Sequence, residues 1–515
     1  MGSPEADHPG EVQTLAPSRI GAAAVTFFAL AATAPLAVLT TVVPAAYARG
    51  GGPLIPLTFA AVAVVLLLFA TAYAAMVHRA PYAGAMYTYV SRGLGRPAGL
   101  AAGWLAIASY LALQLGIYGV AGVAAAPLLH SWFHVEAAWW MVAGVCWLLV
   151  TLLSTVRVEI ASGLLALLVL AELAVAAGFA TANLLDPAGG KLSADSILPS
   201  SAVDRPALGL LLAVGVLAFI GFETTGTYSE ETMRPRREPG YATYASVLLL
   251  ALLLGLVSWS FSVGAGPGEI TALARARGSE LVFDLAAARL APWAVTAGRI
   301  VLLAGLIAAM LALHNAMSRY LYAMGKERAL PRAFARTAAR THVPRTAALT
   351  LSAVTAIALV AAYLAGVRTP SILAHRLGVI GGLGILVVLL ATALAALLHL
   401  NRVPNGEGTW GRFLAPILST VALGTLGYLA FWNIPSLLGV PADSALVWSV
   451  PIAFVAVGAL GLIHGAALRG RRPVQYAGVG QGGTPVVVTP VPPTVARTIP
   501  QQREPGAHRP ERVKR

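Results

Sequence analysis

Residues 218–231 read AFIGFETTGTYSEE. They close an apolar run, GLLLAVGVLAFIGF at 209–222, that has the composition of a membrane-embedded helix. Glu223 then appears, bracketed by Gly221 and Gly226 and followed by hydroxyl side chains. A carboxylate at the centre of an inserted helix costs roughly 2.5–3.5 kcal/mol. Glycine weakens the helix that carries it. The costliest side chain and the weakest backbone therefore coincide, and in a membrane such a coincidence points to function.

The rest of the chain supports a membrane setting. Its 515 residues are 58% hydrophobic and 11% charged, with mean hydropathy +0.76. A soluble domain carries about a quarter charged residues. Long apolar runs alternate with short polar connections, which is the pattern of helical spans; the short alternating segments of a membrane barrel are absent. The net charge is +14. In this setting Lys and Arg mark inner loops and contact anionic lipid, so no nucleic-acid partner is expected. Cys146, the single cysteine, sits in an apolar run and excludes an internal disulfide. No cofactor motif is present: GLGRPAG at 93–99 follows no strand, and no metal-ligand spacing or catalytic grouping occurs. The protein is not expected to be an enzyme.

Twelve spans are expected, near 20–47, 54–77, 98–127, 138–156, 160–184, 207–232, 241–265, 293–323, 346–366, 377–400, 413–434 and 445–468. RAPYAGAMYTYVSRGLGRP (79–97) suits a short interfacial helix before span 3. Residues 266–292 suit an outer loop with a short amphipathic helix. Lys and Arg concentrate in the loops that an inside N-terminus makes internal, notably Arg234, Arg236, Arg237 and the run from Lys326 to Arg345. Both termini are therefore expected in the cytoplasm of a plasma-membrane protein. Residues 1–18 are polar and acidic, and the first apolar run is too long for a signal peptide. They are expected to be a disordered N-terminus before a transporter domain at 19–470. Residues 471–515, rich in Pro, Gly and Arg, are expected to be a disordered tail.

Span 1 is also interrupted. Pro35 stands mid-span in GAAAVTFFALAATAPLAVLTTVVPAAYA (21–48) and should free carbonyl groups near Ala31. Interruptions in spans 1 and 6 fall at corresponding positions of two five-span sets, the pattern of a secondary transporter with inverted repeats. Half-helix N-termini suit an anionic group and C-termini a cationic one, so a zwitterion fits both. Three further polar features lie within spans. Glu172 has no basic neighbour within a turn; a proton or ion role and a structural hydrogen bond are equally open. His314, beside Asn315, is read first as a satisfied core residue. Arg319 is expected to snorkel or to pair with a loop acid.

GFETTGTYSEETMRPRREPGYAT (221–243), APYAGAMYTYVSRGLGRPAGLAAGW (80–104) and HNAMSRYLYAMGKERALPRAFAR (314–336) followed by THVPRTA together resemble the amino acid–polyamine–organocation (APC) permeases. The resemblance implies an all-α membrane fold of twelve transmembrane helices, a LeuT-type 5+5 inverted repeat plus two C-terminal helices. It implies alternating-access transport of amino acids or related organic cations, often proton-coupled. Carried over by position, Ala31, Ala32, Thr33 and Ala34 would hold a substrate carboxylate, and the carbonyls of Ala218, Phe219 and Ile220 would face its amino group. Phe222 and Glu223 would serve as gate and coupling residues, with Glu172 and His314 as further coupling candidates. Two departures stand out. ATAPL replaces the family's glycine-containing carboxylate loop, and Glu172 falls where some proton-coupled members carry a lysine. A glutamate there suits a proton or sodium. A polyamine or nucleobase permease and an amino acid sensor are the other readings. A major-facilitator protein would place its longest inner loop after span 6, whereas here it follows span 8.

Overall fold

The computed structural model describes residues 14–136, 138–192, 196, 205–367 and 369–483. Their regular structure is helical, apart from one isolated bridge between Ile20 and Thr232. Residues 1–13 and 484–515, most of the two expected disordered ends, lie outside the described residues.

Eleven helices among the described residues are long and apolar enough to cross a membrane. Each lies where a span is expected. The remaining span, near 138–156, is a helix of only 15 residues, Trp139–Leu153. At 1.5 Å per residue it reaches about 22 Å, short of the roughly 30 Å hydrocarbon core. The expected twelve are thus eleven by length, plus one short apolar helix in the expected place.

Burial sorts centre from periphery. In Ala22–Ala48, Leu208–Glu231 and Pro292–Lys326 (spans 1, 6 and 8), 72%, 78% and 72% of the most apolar window is buried. In Arg345–Leu364 and Ala445–Arg471 (spans 9 and 12) the figures are 28% and 11%. Lipid-facing helices can stay apolar all round, so hydropathy alone does not reveal this order. Spans 2 and 7 pack together, as do spans 3 and 10, and both pairs flank the central group.

A short helix before span 3 is present at Ala85–Gly93; nearly all its residues are buried, and it packs on spans 3 and 10. The ordered chain also passes the expected boundaries at 18 and 471. Leu15 and Ala16 are buried. A short helix, Pro473–Gly478, leads to Gly480 and Gly482, whose N–H groups donate to Glu327 at 2.8 and 2.7 Å. Tyr87 also donates to Glu327, and Arg92 to the Gly480 carbonyl. Burial pushes the Glu327 carboxyl above its ordinary range, opposed by these hydrogen bonds. The Gly- and Pro-rich composition of this segment gives no hint of a buried carboxyl waiting for its amides.

Candidate substrate site

The site is built by two helix breaks that touch. In span 1 an α-helix ends at Thr33 and another begins at Pro35. Proline denies the preceding residue the right-handed helical basin. Ala34 accordingly adopts φ 53°, ψ 66°, a left-handed conformation uncommon for a residue with a side chain. Its N–H closes a tight turn onto Ala31 O at 3.0 Å. The Ala31 carbonyl, expected to be free, is therefore occupied. The Thr33 hydroxyl turns back to Ala29 O. Leu36 N–H, the first amide past the proline, donates to Glu172 Oε2 at 3.1 Å.

In span 6 the α-helix ends at Leu217, and the chain continues through turns to a 3₁₀ helix over Phe222–Glu231. Gly221 holds φ 124°, ψ −29°. This conformation requires glycine, and space requires it too: a Cβ at 221 would lie 2.6 Å from the Thr33 backbone nitrogen. The contact shows that the two breaks meet. The hydroxyls of 224–232 explain the tight helix beyond. Thr224, Thr227, Ser229 and Thr232 each donate to the carbonyl three residues back. Such local bonds compete with the α-helical ladder.

Glu223 is fully buried. Its carboxyl accepts from its own break, Gly221 N–H at 2.9 Å, and from Tyr110 Oη of span 3 at 2.9 Å. Tyr73 of span 2 donates to the Glu223 carbonyl at 2.7 Å. No ion pair involves Glu223 or Glu172 among the described residues. Glu172 of span 5 reaches the span 1 break on one side. On the other it lies so close to Gly305 of span 8 that a methyl group at 305 would overlap its Oε1. Of the two roles open for Glu172, the hydrogen bond is present, and it is made to the break itself.

The structure brings Ala31, Ala32, Thr33 and Ala34 to the junction with Ala218, Phe219 and Ile220, all buried. The Phe219 carbonyl accepts from Phe222 N–H. The Phe222 ring packs edge-on against Phe69 of span 2, at 5.9 Å between centroids. His314 is engaged elsewhere: its Nε2–H donates to Ala348 O of span 9 at 3.0 Å.

Beside the junction Arg319 takes the second of its two expected roles, pairing with an acid rather than snorkelling. It is 2% exposed and forks onto Glu231, at 2.6 and 2.9 Å, at the end of the span 6 3₁₀ helix. Its guanidinium lies 4.3 Å from the centroid of Tyr228, which stacks on Phe28 of span 1. Lys326 pairs with Glu230 in parallel. The Glu231 carbonyl accepts from Arg19 and Ile20 N–H at the start of span 1. Spans 1, 6 and 8 are thus tied together at one end of the molecule. The acidic pair of SEE and the basic residues of 314–336 were the available signal, but their pairing is not local in sequence.

Eleven helices among the described residues are long and apolar enough to span a bilayer, two of them interrupted, and together they mark a multi-pass membrane protein. The family model described as amino acid permease matches residues 23–461, and the chain belongs to that family, within the APC superfamily. Relatives bearing the name uncharacterized transporter, from Mycobacterium bovis and Mycobacterium tuberculosis, are 27% identical over 336 residues. That match covers 62% of this chain and 68% of each relative. The chain is a membrane transporter rather than an enzyme.

Proposed function

We propose that this permease is a secondary active transporter in the plasma membrane. It moves amino acids or related organic cations by alternating access, coupled to protons, with both termini in the cytoplasm. One observation carries this reading: the breaks of spans 1 and 6 meet inside the bundle, and the buried carboxyl of Glu223 is hydrogen-bonded to the span 6 break. Irregular backbone at membrane depth is tolerated where it is buried in protein or lines a cavity. In transporters of this architecture, broken helices form the substrate site. Glu223 has hydrogen-bond donors and, among the described residues, no cationic partner, so it suits a group that takes up and releases a proton as the site changes access.

Reconstitution into liposomes tests the proposal. Uptake of labelled amino acids and organic amines is measured with an acidic exterior and again after the gradient is collapsed. The expected result is accumulation that disappears with the gradient. Binding without flux would instead identify a sensor, and flux indifferent to the gradient would remove the proton from the mechanism.

A further inference from the structure

Three tyrosines from three helices stand around Glu223, and only two of them are bound to it. Tyr110 Oη donates to its Oε1, and Tyr73 Oη to its main-chain carbonyl. The third is Tyr320 of span 8. It is fully buried, and its ring centroid lies 6.2 Å from that of Tyr110. Its hydroxyl is within electrostatic reach of Glu223 and has no hydrogen-bond partner among the described residues. Met86 N–H, in the first turn of the buried 85–93 helix, approaches the oxygen without closing a bond. The hydroxyl proton therefore has no acceptor, which is costly in a buried site. The carboxyl beside it can supply one. Gly221 N–H and Tyr110 take one lone-pair site on each Glu223 oxygen, and a carboxylate offers about four.

Tyr320 directly follows Arg319 on span 8, and the partner of Arg319, Glu231, shares the span 6 3₁₀ helix with Glu223. An inward opening that parts the Arg319–Glu231 pair shifts span 8 against that helix, and so changes the reach of Tyr320 to Glu223. We infer that Tyr320 is the proton-release partner of Glu223: as the inner tie opens, its hydroxyl donates to the carboxylate and the proton leaves toward the inside. The inference rests on the proton-coupled reading above and names the residue that gives release its direction. A hydrogen bond to the charged form of a carboxyl favours that form. The Glu223 O–H bond breaks and its proton passes to water on the inner side. Tyr320 keeps its own proton throughout, so it is a positioning residue. The other elements packed on this helix bring no competing charge. Span 1 supplies Phe28, stacked on Tyr228; span 7 supplies Thr243, bonded to Thr225; and the 85–93 helix supplies Tyr89, edge-on to Tyr73. Glu230 and Glu231 are paired with Lys326 and Arg319.

Tyr320→Phe removes the hydroxyl and keeps the ring. Uptake of a labelled mixture of amino acids and simple organic amines into proteoliposomes is measured from an acidic exterior, with the interior neutral and then more alkaline. With a neutral interior the initial rate is expected to fall about tenfold, the effect of losing one hydrogen bond to a charged group. An alkaline interior should restore much of it, because it draws off the proton that the hydroxyl no longer helps to release. Gradient-free exchange, in which the proton can stay bound, should keep its rate. Thermal stability should also hold, since the hydroxyl has no partner to lose. Uptake unchanged at both interior pH values would overturn the inference and leave the transport reading standing. So would a loss shared by exchange and untouched by alkali, or a variant that unfolds, either of which would make Tyr320 a substrate contact or a structural residue. Wild-type flux that ignores the gradient would defeat the proton reading and this inference with it.

Discussion

Arg319→Met is expected to lower the stability of the detergent-solubilised protein by about 3–5 kcal/mol, because it strands Glu231 as a buried, unpaired charge. The pair is 2% and 1% exposed, its geometry is a two-pronged fork, and Tyr228 and Phe28 close over it. Water is not at hand to replace the guanidinium. Glu231→Gln should destabilise by a similar route. The double variant Glu231→Leu/Arg319→Met should recover most of the loss, since apolar replacement of a whole buried pair is often neutral or better. Thermal unfolding of the four proteins measures this directly. Transport should not recover with stability in the double variant if the pair also closes one end of the substrate path. Full recovery of uptake would reduce the pair to a structural tie between spans 6 and 8.

Glu223→Gln is the second large effect. Glutamine fits the same space, with its oxygen accepting from Gly221 N–H and its amide nitrogen donating to Tyr110 Oη, but it cannot exchange a proton. Uphill accumulation driven by a pH gradient is expected to collapse to the level reached without a gradient, because the group that takes up and releases the proton is gone. Exchange of labelled for unlabelled substrate with no gradient should persist. This split separates a coupling residue from one that only props the break, whose loss would depress both activities together. Tyr110→Phe, which removes one donor to Glu223 without touching the carboxyl, should give a weaker version of the same phenotype.

Much of the architecture was legible along the chain because membrane hydropathy is a local property. Runs of apolar residues located the spans, and Pro35 and Gly221 located the breaks, since proline and glycine act on their own backbone. Features that depend on distant partners were not legible. Leu36 and Glu172 are 136 residues apart, and Glu231 and Arg319 are 88 apart. Glu172 showed no partner within a helical turn, and the acid that Arg319 would meet could not be named until folding brought Glu231 to it. The short helix at 139–153 was counted as a span because its composition is that of a span; only its length sets it apart. The segment leading to Gly480 and Gly482 looked disordered because glycine-rich composition says nothing of a buried Glu327 that takes their amides. The carbonyl of Ala31 was expected to be free because proline removes one donor, but the left-handed turn at Ala34 supplied another.

The central claim is that substrate binds where the two breaks meet. A single cysteine at Thr33→Cys, in a Cys146→Ala background, places a thiol beside Gly221. Its rate of modification by a small thiol reagent is measured with and without a saturating transported substrate. The account predicts that substrate slows the reaction several-fold, in the wild-type background and in Glu223→Gln alike. An unchanged rate, in protein that still transports that substrate, would place the binding site elsewhere and contradict the account.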